Sequence, residues 1–461
     1  MGNSRQGCGG RLKTNPVRTP RVFLGLSEVS GYFSRLQRGL QELGVDAVHV
    51  TVHEHRFGYS AGQVPWIVAW SRSAVARRAE PQGSRLAEWA RVAEVAASRI
   101  VLLAWALARF DVFILGAGSS FFALRELALL RLLNKRIIYT LHGTDARPPY
   151  IDGFFPALRK VLDTARDDRV AVESTMDALA VETARRVRFL RRLEKYADVV
   201  VCGPSYSQFL SRPYVNFYAI GLPTPLPEKI GRVTGGDEHS PLVVLHAPSQ
   251  VAGKGTAIIR EVVARLRGSG VALDYREITG RPNHEVMAAL MEADMVVDQV
   301  WSDTPMAGLA AEAGARGCPA LVGGYFSAIA AKAVPPQLLP PTEFTLPEEM
   351  EAKLRRMASD RKRLVALGLQ ARDFVATQWS ERAVASKMLQ LLQSVPRDWL
   401  VAPGTCHYFE GCGLDREQAR WTVRQMIERH GPDVLGLQHA PALQAEFLAF
   451  APQTLPHLLP E

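Results

Sequence analysis

Lys254 stands in a Gly253-Lys254-Gly255-Thr256 turn that follows a short apolar stretch at 242–245. The stretch predicts a buried parallel strand, and apolar side chains at helical spacing after Thr256 predict an amphipathic helix. A strand that leads into a helix N-terminus exposes backbone N–H groups and the positive end of the helix dipole, and a lysine there adds a charge. The pattern predicts a phosphate site, although the same residues also begin ordinary helices.

Three polar side chains follow another predicted strand, at 136–141. His142, Asp145 and Arg147 belong to the stretch HGTDARPPYIDG, directly after that strand. Because the carboxyl ends of strands form the ligand crevice of an open α/β sheet, these side chains are candidates for chemistry or substrate contact. The alternative is structural, with Asp145 capping a helix and Arg147 solvated beside it.

Acidic and amide side chains occur at two further points. Asp298 and Gln299 follow the apolar residues of a predicted strand at 295–298, and Glu312 stands in the predicted helix AGLAAEAGARG. The small residues around Glu312 would let a ligand approach the helix backbone closely. A solvated surface glutamate is the alternative for this position.

The elements that must position these residues form two α/β units. Short apolar strands alternate with helices in both halves of the chain, which predicts parallel sheets with right-handed crossovers. The length exceeds what one core usually serves. We predict a disordered arm at 1–20, a Rossmann-like domain at 21–225, a linker at 226–240, a second Rossmann-like domain at 241–395 and a C-terminal extension at 396–461. A closing helix at 381–392 should return toward the first domain.

The composition fits a globular protein with anionic partners. Of the 461 residues, 47% are hydrophobic, and the net charge of +9 suits nucleotide phosphates or acidic lipid head groups. A solvated arginine-rich surface is the alternative. The apolar run at 100–108 is too short to span a membrane, and the first twenty residues lack the apolar segment of a secretory signal. Five scattered cysteines favour a reducing compartment, so we expect a cytoplasmic protein, with peripheral contact to the membrane as an open alternative.

Two stretches are candidates for contact with a membrane surface. Trp66, Trp70 and Trp89 stand among arginines at helical spacing, and we favour packing in the core over a membrane contact. The basic cluster at 185–192 suits either an anionic surface or a solvated helix face. It lacks an aromatic stacking platform, so we expect no nucleic acid.

Four motifs in order carry a family resemblance. HAPS at 246–249, KGT at 254–256, ADMVVDQ at 293–299 and AAEAGARGCPALV at 310–322 resemble the C-terminal half of GT-B glycosyltransferases. They are similar to the branch of glycosyltransferase family 4 with HAPS and VDQ motifs, and HGTDARPPYIDG resembles a segment of that branch. The resemblance extends over about 21–392 and implies an α/β GT-B fold, in which two Rossmann-like domains face each other across a cleft.

On the phosphate side, the resemblance implies a catalytic role for Lys254, which would stabilise the departing nucleotide diphosphate. Ser249, Gly255 and Thr256 would contact the donor beside it, the last two through N–H and O–H donors. No metal and no other cofactor is expected, because a lysine and a helix dipole would do what Mg²⁺ does elsewhere.

On the sugar side, the resemblance makes Glu312 the ligand of the donor ribose, since a carboxylate accepts hydrogen bonds from both ribose hydroxyls. His142 would contact the transferred sugar, and Asp145 and Arg147 would contact the acceptor or a phosphate. Gly31, which remains of a usual glycine pair, would face the donor across the cleft.

One departure from the family concerns the donor sugar. Most family 4 enzymes carry a further glutamate eight residues before the ribose ligand, where this chain has Thr304, and Asp303 is one residue out of register. Asp298 and Gln299 would take over the sugar contacts.

These expectations combine into a retaining glycosyltransferase that moves a hexose-type sugar from a nucleotide diphosphate to a hydroxyl acceptor, such as a glycan, a lipid-linked group or a small molecule. The alternative is a catalytically weak or inactive GT-B protein that binds a nucleotide sugar or glycan as a regulator or partner.

Overall fold

A computed structural model describes residues 19–52, 65–80, 84–232 and 240–451. The predicted arm at 1–20 therefore lies almost wholly outside the described residues. So does 233–239, which is half of the predicted linker.

The first sheet is built from the N-terminal half of the chain. Its buried, β-branched and aromatic strands lie in the order β6-β5-β4-β3-β1-β2, and each pair is parallel. The strands are β1 (Val22–Leu26), β2 (Ala47–Thr51), β3 (Val112–Gly116), β4 (Arg136–Thr140), β5 (Val199–Cys202) and β6 (Tyr214–Asn216).

The second sheet has five parallel strands in the order β11-β10-β9-β7-β8. They are β7 (Leu242–His246), β8 (Leu273–Glu277), β9 (Met295–Val297), β10 (Ala320–Gly323) and β11 (Glu343–Thr345). Two Rossmann-like sheets facing each other across a cleft are the architecture predicted from the sequence, and this fold class is confirmed.

Helices cover both faces of each sheet. Those of the first half are α1 (Tyr32–Glu42), α2 (Trp66–Ala79), α3 (Arg85–Arg109), α4 (Leu127–Leu132), α5 (Pro156–Thr164), α6 (Arg169–Tyr196) and α7 (Phe217–Ile220). Those of the second half are α8 (Thr256–Gly268), α9 (Asn283–Glu292), α10 (Gly308–Gly314), α11 (Ala330–Ala333), α12 (Met350–Ser359) and α13 (Arg361–Phe374). Three more follow, α14 (Glu381–Gln393), α15 (Arg416–His430) and α16 (Pro441–Phe450).

The end of the chain packs on the first domain. Helix α14 lies along α1, and its side chains Val384, Ala385 and Met388 are buried in the same core as α1. A final strand, β12 (Leu400–Val401), pairs antiparallel with β6, and α15 and α16 bury apolar side chains against the opposite face of that sheet. The apolar faces of α14, α15 and α16 thus find their partners on the first sheet, and α14 returns to the first domain as the closing helix was expected to do.

Two tryptophans differ from the expectation. Trp66 and Trp89, predicted to pack in the core, are 73% and 71% exposed, whereas Trp70 is half-buried and donates its indole N–H to Glu94 at 3.3 Å. The apolar spacing was read correctly as helix. Which side of the helix meets the core depends on the sheet beneath it.

The basic cluster of α6 is largely neutralised within the fold. Arg185 pairs with Glu182, Arg191 pairs with Glu194, and Arg186 is buried between Glu182 and Asp152. Arg188 and Arg192 are exposed. Within the described part of the chain, each helix is too short or too polar to cross a bilayer.

The close packing of α1 on α14 makes a prediction at Gly39. A Cβ there would overlap the carbonyl oxygen of Glu381 and come within 3.0 Å of the Ala385 Cβ. Gly39→Ala should therefore lower the free energy of unfolding by about 1–3 kcal/mol, measured by denaturant titration. Gly268→Ala is the control, because a Cβ at that helical position meets nothing within 4 Å and should be neutral or slightly stabilising. Equal behaviour of the two variants would contradict this packing.

Candidate active site at the domain interface

A cavity of about 280 Å³ lies between the two domains. Ser249, Lys254, Asp298 and Glu312 line it from the second domain, and Ser30 reaches it from the first. These four second-domain residues come from the ends of β7 and β9 and from helices that follow, so parallel strands gather them at one edge of the sheet. Convergent polar groups in one concave site are typical of ligand pockets.

Hydrogen bonds within the loop before α8 hold Lys254 in position. The backbone N–H groups of Lys254, Gly255 and Thr256 donate to carbonyl oxygens within the loop at 3.0–3.1 Å. Gly255 adopts a φ of +73°, and a Cβ there would lie 2.6 Å from the Val300 side chain. The position therefore requires glycine for conformation and for space.

Lys254 and Asp298 form an ion pair in the cavity. The lysine Nζ lies 3.2 Å from Asp298 Oδ1. The other carboxylate oxygen, Oδ2, is buried and has no hydrogen-bond partner within the described residues. A buried acceptor of this kind is costly unless a ligand or water supplies a donor. This ion pair thus presents one cation and one unsatisfied anionic oxygen to the cavity.

The N–H and O–H groups of Gly255 and Thr256, which were predicted to contact the donor, form hydrogen bonds within the fold. Thr256 Oγ1 lies 2.9 Å from His246 Nε2, and His246 Nδ1 lies 2.8 Å from the Val297 carbonyl oxygen. Burial lowers the pKa of His246, which favours the neutral ring. In that form Nδ1 donates a hydrogen bond to the carbonyl oxygen, and Nε2 accepts one from the threonine hydroxyl. These groups therefore hold the strand-to-helix turn in place, and Lys254 is left as the group of this turn that lines the cavity.

Gln299 also differs from its predicted place. It is buried and donates to Ser302 Oγ at 2.7 Å, and it does not line the cavity. Side chains alternate sides along an extended segment, so a residue beside Asp298 points away from the space that Asp298 faces.

Glu312 has a partner from the opposite domain. Its carboxylate forms a buried ion pair with Arg35 of α1. Arg316, one helical turn further on, donates to the Glu312 carbonyl oxygen at 2.9 Å. The predicted ribose ligand therefore lines the cavity and at the same time ties the two domains together.

His142 lies among aromatic rings of the first domain. Its ring centroid is 4.5 Å from that of Tyr32, and Phe33 and Phe217 also pack edge-on against it. Its Nε2 lies 2.9 Å from Thr140 Oγ1. Burial lowers the pKa of His142 to about 3, so the ring is neutral at physiological pH.

Asp145 supports the same loop. Its Oδ1 accepts a hydrogen bond from the His142 backbone N–H at 2.7 Å, and burial raises the pKa of Asp145 to about 6. Gly31 caps α1 with a φ of 82° and stands between Ser30, which lines the cavity, and Tyr32, which packs on His142. His142, Asp145 and Gly31 are not among the residues that line the cavity.

Arg147 is not available for the predicted acceptor or phosphate contact. It is buried and donates to Asp303 of the second domain at 3.0 Å and to Asp152 at 3.2 Å. These neighbouring carboxylates hold the pKa of Arg147 well above its usual value. The side chain is a second ionic link between the domains.

The two residues at the expected donor-sugar position have partners in the first domain. Thr304, at the position of the missing glutamate, accepts a hydrogen bond from the Tyr218 hydroxyl at 3.0 Å. Asp303 pairs with Arg147. Both positions therefore carry contacts to the first domain.

Part of the cavity wall lies outside the residues predicted from the sequence. Ile278, Gly280, Arg281, Asn283 and Val286 line it after β8. The rule that strand ends face the crevice applies to β8 as well and would have found this loop. Strand β8 is half-exposed and carries charged residues, so its sequence did not indicate that the loop after it belongs to a site.

Comparison with known proteins gives distant structural similarity. No protein-family model matches the chain, and no curated protein sequence matches it. HepE (Alr3699) of Anabaena, solved with UDP and glucose, is 12% identical with a TM-score of 0.45 over 81% of this chain and 99% of that one. S. aureus MnaA, solved with UDP, is 11% identical with a TM-score of 0.39 over 81% and 96%. TarM is 13% identical with a TM-score of 0.36 over 65% and 58%.

The surroundings of His142 predict a pH effect. Its pKa is about 3 in the folded protein and near 6.5 in an unfolded chain, so between these values only the unfolded chain binds the proton. Acidification from pH 6.5 to 4 therefore destabilises the wild type through this group. His142→Gln should lose less stability over that range, by up to about 1.4 kcal/mol per pH unit in denaturant titrations.

Asp145→Asn supplies the matched control. The raised pKa of Asp145 means that the folded protein binds the extra proton between about pH 4 and 6, which stabilises the wild type as the pH falls. The difference between this variant and the wild type should therefore have the opposite sign. A His142→Gln curve parallel to that of the wild type would contradict the assigned environment.

Proposed function

We propose that the protein is a retaining glycosyltransferase that moves a hexose-type sugar from a nucleotide diphosphate donor to a hydroxyl group. The acceptor would be a glycan, a lipid-linked group or a small molecule. The observation that carries the proposal is the grouping of Lys254, Asp298 and Glu312 around one interdomain cavity. A cation suits a diphosphate, and two carboxylates suit the hydroxyls of a ribose and a sugar.

In this proposal the donor spans the cavity. Lys254 would bind the diphosphate and stabilise the charge that develops on it as the bond to the sugar breaks. Asp298 Oδ2, which has no hydrogen-bond partner among the described residues, would accept a hydrogen bond from a sugar hydroxyl. Glu312 would accept hydrogen bonds from the ribose, and its pairing with Arg35 would be shared or exchanged when the donor binds.

His142 would contact the transferred sugar from the first domain. A neutral imidazole makes such a contact without adding a second positive charge near the reacting carbon. The aromatic rings around it would keep water from this side of the sugar. Because Lys254 supplies positive charge at the phosphates, we propose that transfer requires no metal ion.

We further propose that the protein works in the cytoplasm and contacts the membrane peripherally. A lipid-linked acceptor would be presented at such a surface. This part of the proposal rests on the overall positive charge and on exposed aromatic side chains of the first domain.

Specific contacts favour a second candidate. Glu312 is paired with Arg35, and Asp303 and Thr304 are engaged with the first domain where the family's sugar ligand would stand. A catalytically weak GT-B protein that binds a nucleotide sugar or glycan as a regulator would fit these contacts too.

A panel of nucleotide sugars distinguishes the two functions. The purified protein should be stabilised against thermal unfolding by at least one donor and should slowly release its nucleoside diphosphate, with or without a metal chelator. Lys254→Ala should lower that release by about 10²–10³, because one preorganised charge is removed from the leaving group. Lys160→Ala, an exposed lysine on α5, should match the wild type.

The outcomes separate the proposals. Stabilisation without release, also in the presence of glycan and lipid acceptors, would support the binding protein. Equal release by Lys254→Ala and wild type would contradict the role of this lysine. The absence of stabilisation by any donor would contradict both functions.

A further inference from the structure

The outer face of α3 is apolar over most of its length. Between 89 and 108, nine positions of this helix are exposed, and none of them carries a polar side chain. They are Trp89, Ala90, Ala93, Ala96, Ala97, Ile100, Val101, Ala104 and Ala108. At 100° per residue these positions fall within an arc of about 140°, which is one continuous face some 30 Å long. We call it the α3 face.

The α3 face contains large apolar side chains as well as alanines. Trp89 is 71% exposed and Ile100 is 59% exposed, and Leu86 continues the face in the first turn of the helix with 83%. Helix α2 packs antiparallel beside α3 and exposes Trp66. Side chains of this size in water are costly, and an exposed group of them marks an interaction surface.

Arginines border the α3 face. Arg85 begins the helix on one edge and is exposed, and Arg109 ends it on the other side. Residues 85–136 contain eight basic and four acidic residues. Of the acidic ones, Glu94 pairs with Arg77, and Asp111 pairs with Arg21. Among the basic residues, Arg91 pairs with Glu80, Arg109 pairs with Asp46, and Arg131 and Arg136 share Asp198. The border therefore carries a small excess of positive charge, which includes the exposed Arg85 and Arg125.

Helix α4 exposes further leucines on the same side of the sheet. Buried leucines of α3 and α4 share one core, which places both helices on that side. Leu132 of α4 is 77% exposed, and Leu129 and Leu133 are exposed beside it. Arg125 and Arg136, before and after this helix, are exposed as well.

We propose that the α3 face, with the exposed leucines of α4, is a docking surface for an anionic lipid bilayer. Tryptophan and aliphatic side chains would enter the boundary between head groups and acyl chains, and the bordering arginines would contact lipid phosphates. Charge complementarity selects this occupant over a second copy of the chain. Two copies meeting through the same face would bring their positive borders together.

The membrane contact of the proposed function would be made at this surface. This surface is distinct from the basic cluster of α6, because the α3 face is apolar at its centre, whereas Arg185, Arg186 and Arg191 of that cluster pair with carboxylates of their own helix. It depends only on exposed side chains of the first domain, so it can be tested without knowledge of the donor or of turnover.

The test is co-sedimentation of the purified full-length chain with lipid vesicles. The protein should bind vesicles of phosphatidylcholine with 30% phosphatidylglycerol, bind pure phosphatidylcholine at least about tenfold less, and dissociate in 0.5 M NaCl. The double variant Trp89→Ser/Ile100→Ser should bind the anionic vesicles at least about tenfold more weakly. Its thermal unfolding should match that of the wild type, because both side chains are exposed.

Leu369→Ser on α13 is the matched control. This leucine is also exposed, but it belongs to the second domain, so vesicle binding should be unchanged. The proposal is overturned if the wild type ignores anionic vesicles, or if the double variant binds them as well as the wild type does. A wild-type dimer in light scattering that the double variant abolishes, without vesicle binding, would overturn it in favour of self-association.

Discussion

Two buried ion pairs join the domains across the cleft. Arg35 pairs with Glu312, and Arg147 pairs with Asp303, and the four side chains are almost inaccessible to water. A buried charge that loses its partner costs on the order of 3–5 kcal/mol, so neither domain can move away without resolvating these groups. The relative position of the two sheets, and with it the shape of the cavity, is tied to these pairs.

One of these ion pairs would respond to the ligand of the cleft. Glu312 faces both Arg35 and the cavity. In the proposed reaction a ribose would compete with Arg35 for the carboxylate, and binding of the donor would change the balance between closed and open domains. Asp303 and Arg147 lack this double role, because both are satisfied within the interface. One pair would then respond to the donor while the other holds the domains in register.

Local patterns in the sequence were enough to predict most of the strands and helices of the fold. Strand periodicity and helix starts predict β7 and α8 closely. The structure brings Lys254, Asp298 and Glu312 to one cavity, whereas the residues grouped by the rule about strand ends, His142, Asp145 and Arg147, do not line it. The pattern could not show that Arg147 meets Asp303, because these residues are 156 positions apart and one sequence carries no sign of the pairing. Thr256 was misjudged for a related reason. Its hydrogen bond to His246 depends on how the loop closes.

The exposure of α3 shows a second kind of limit on prediction. Alanine, tryptophan and isoleucine on several sides of a helix are typical of a buried helix, and we expected Trp89 in the core. The sheet covers only one side of α3, and the burial of Leu102, Leu103 and Ala106 there leaves the other apolar side in water. Periodicity identifies a helix and its apolar positions, but the number of neighbours comes from the tertiary structure.

We propose that a nucleotide occupies the cavity with Glu312 as a ligand, and calorimetric titration with nucleoside diphosphates decides it. The wild type should bind at least one of them, and Glu312→Gln, which keeps the size but not the charge, should bind it about tenfold more weakly. A wild type that binds none of them, or a variant that binds as tightly as the wild type, would contradict the claim.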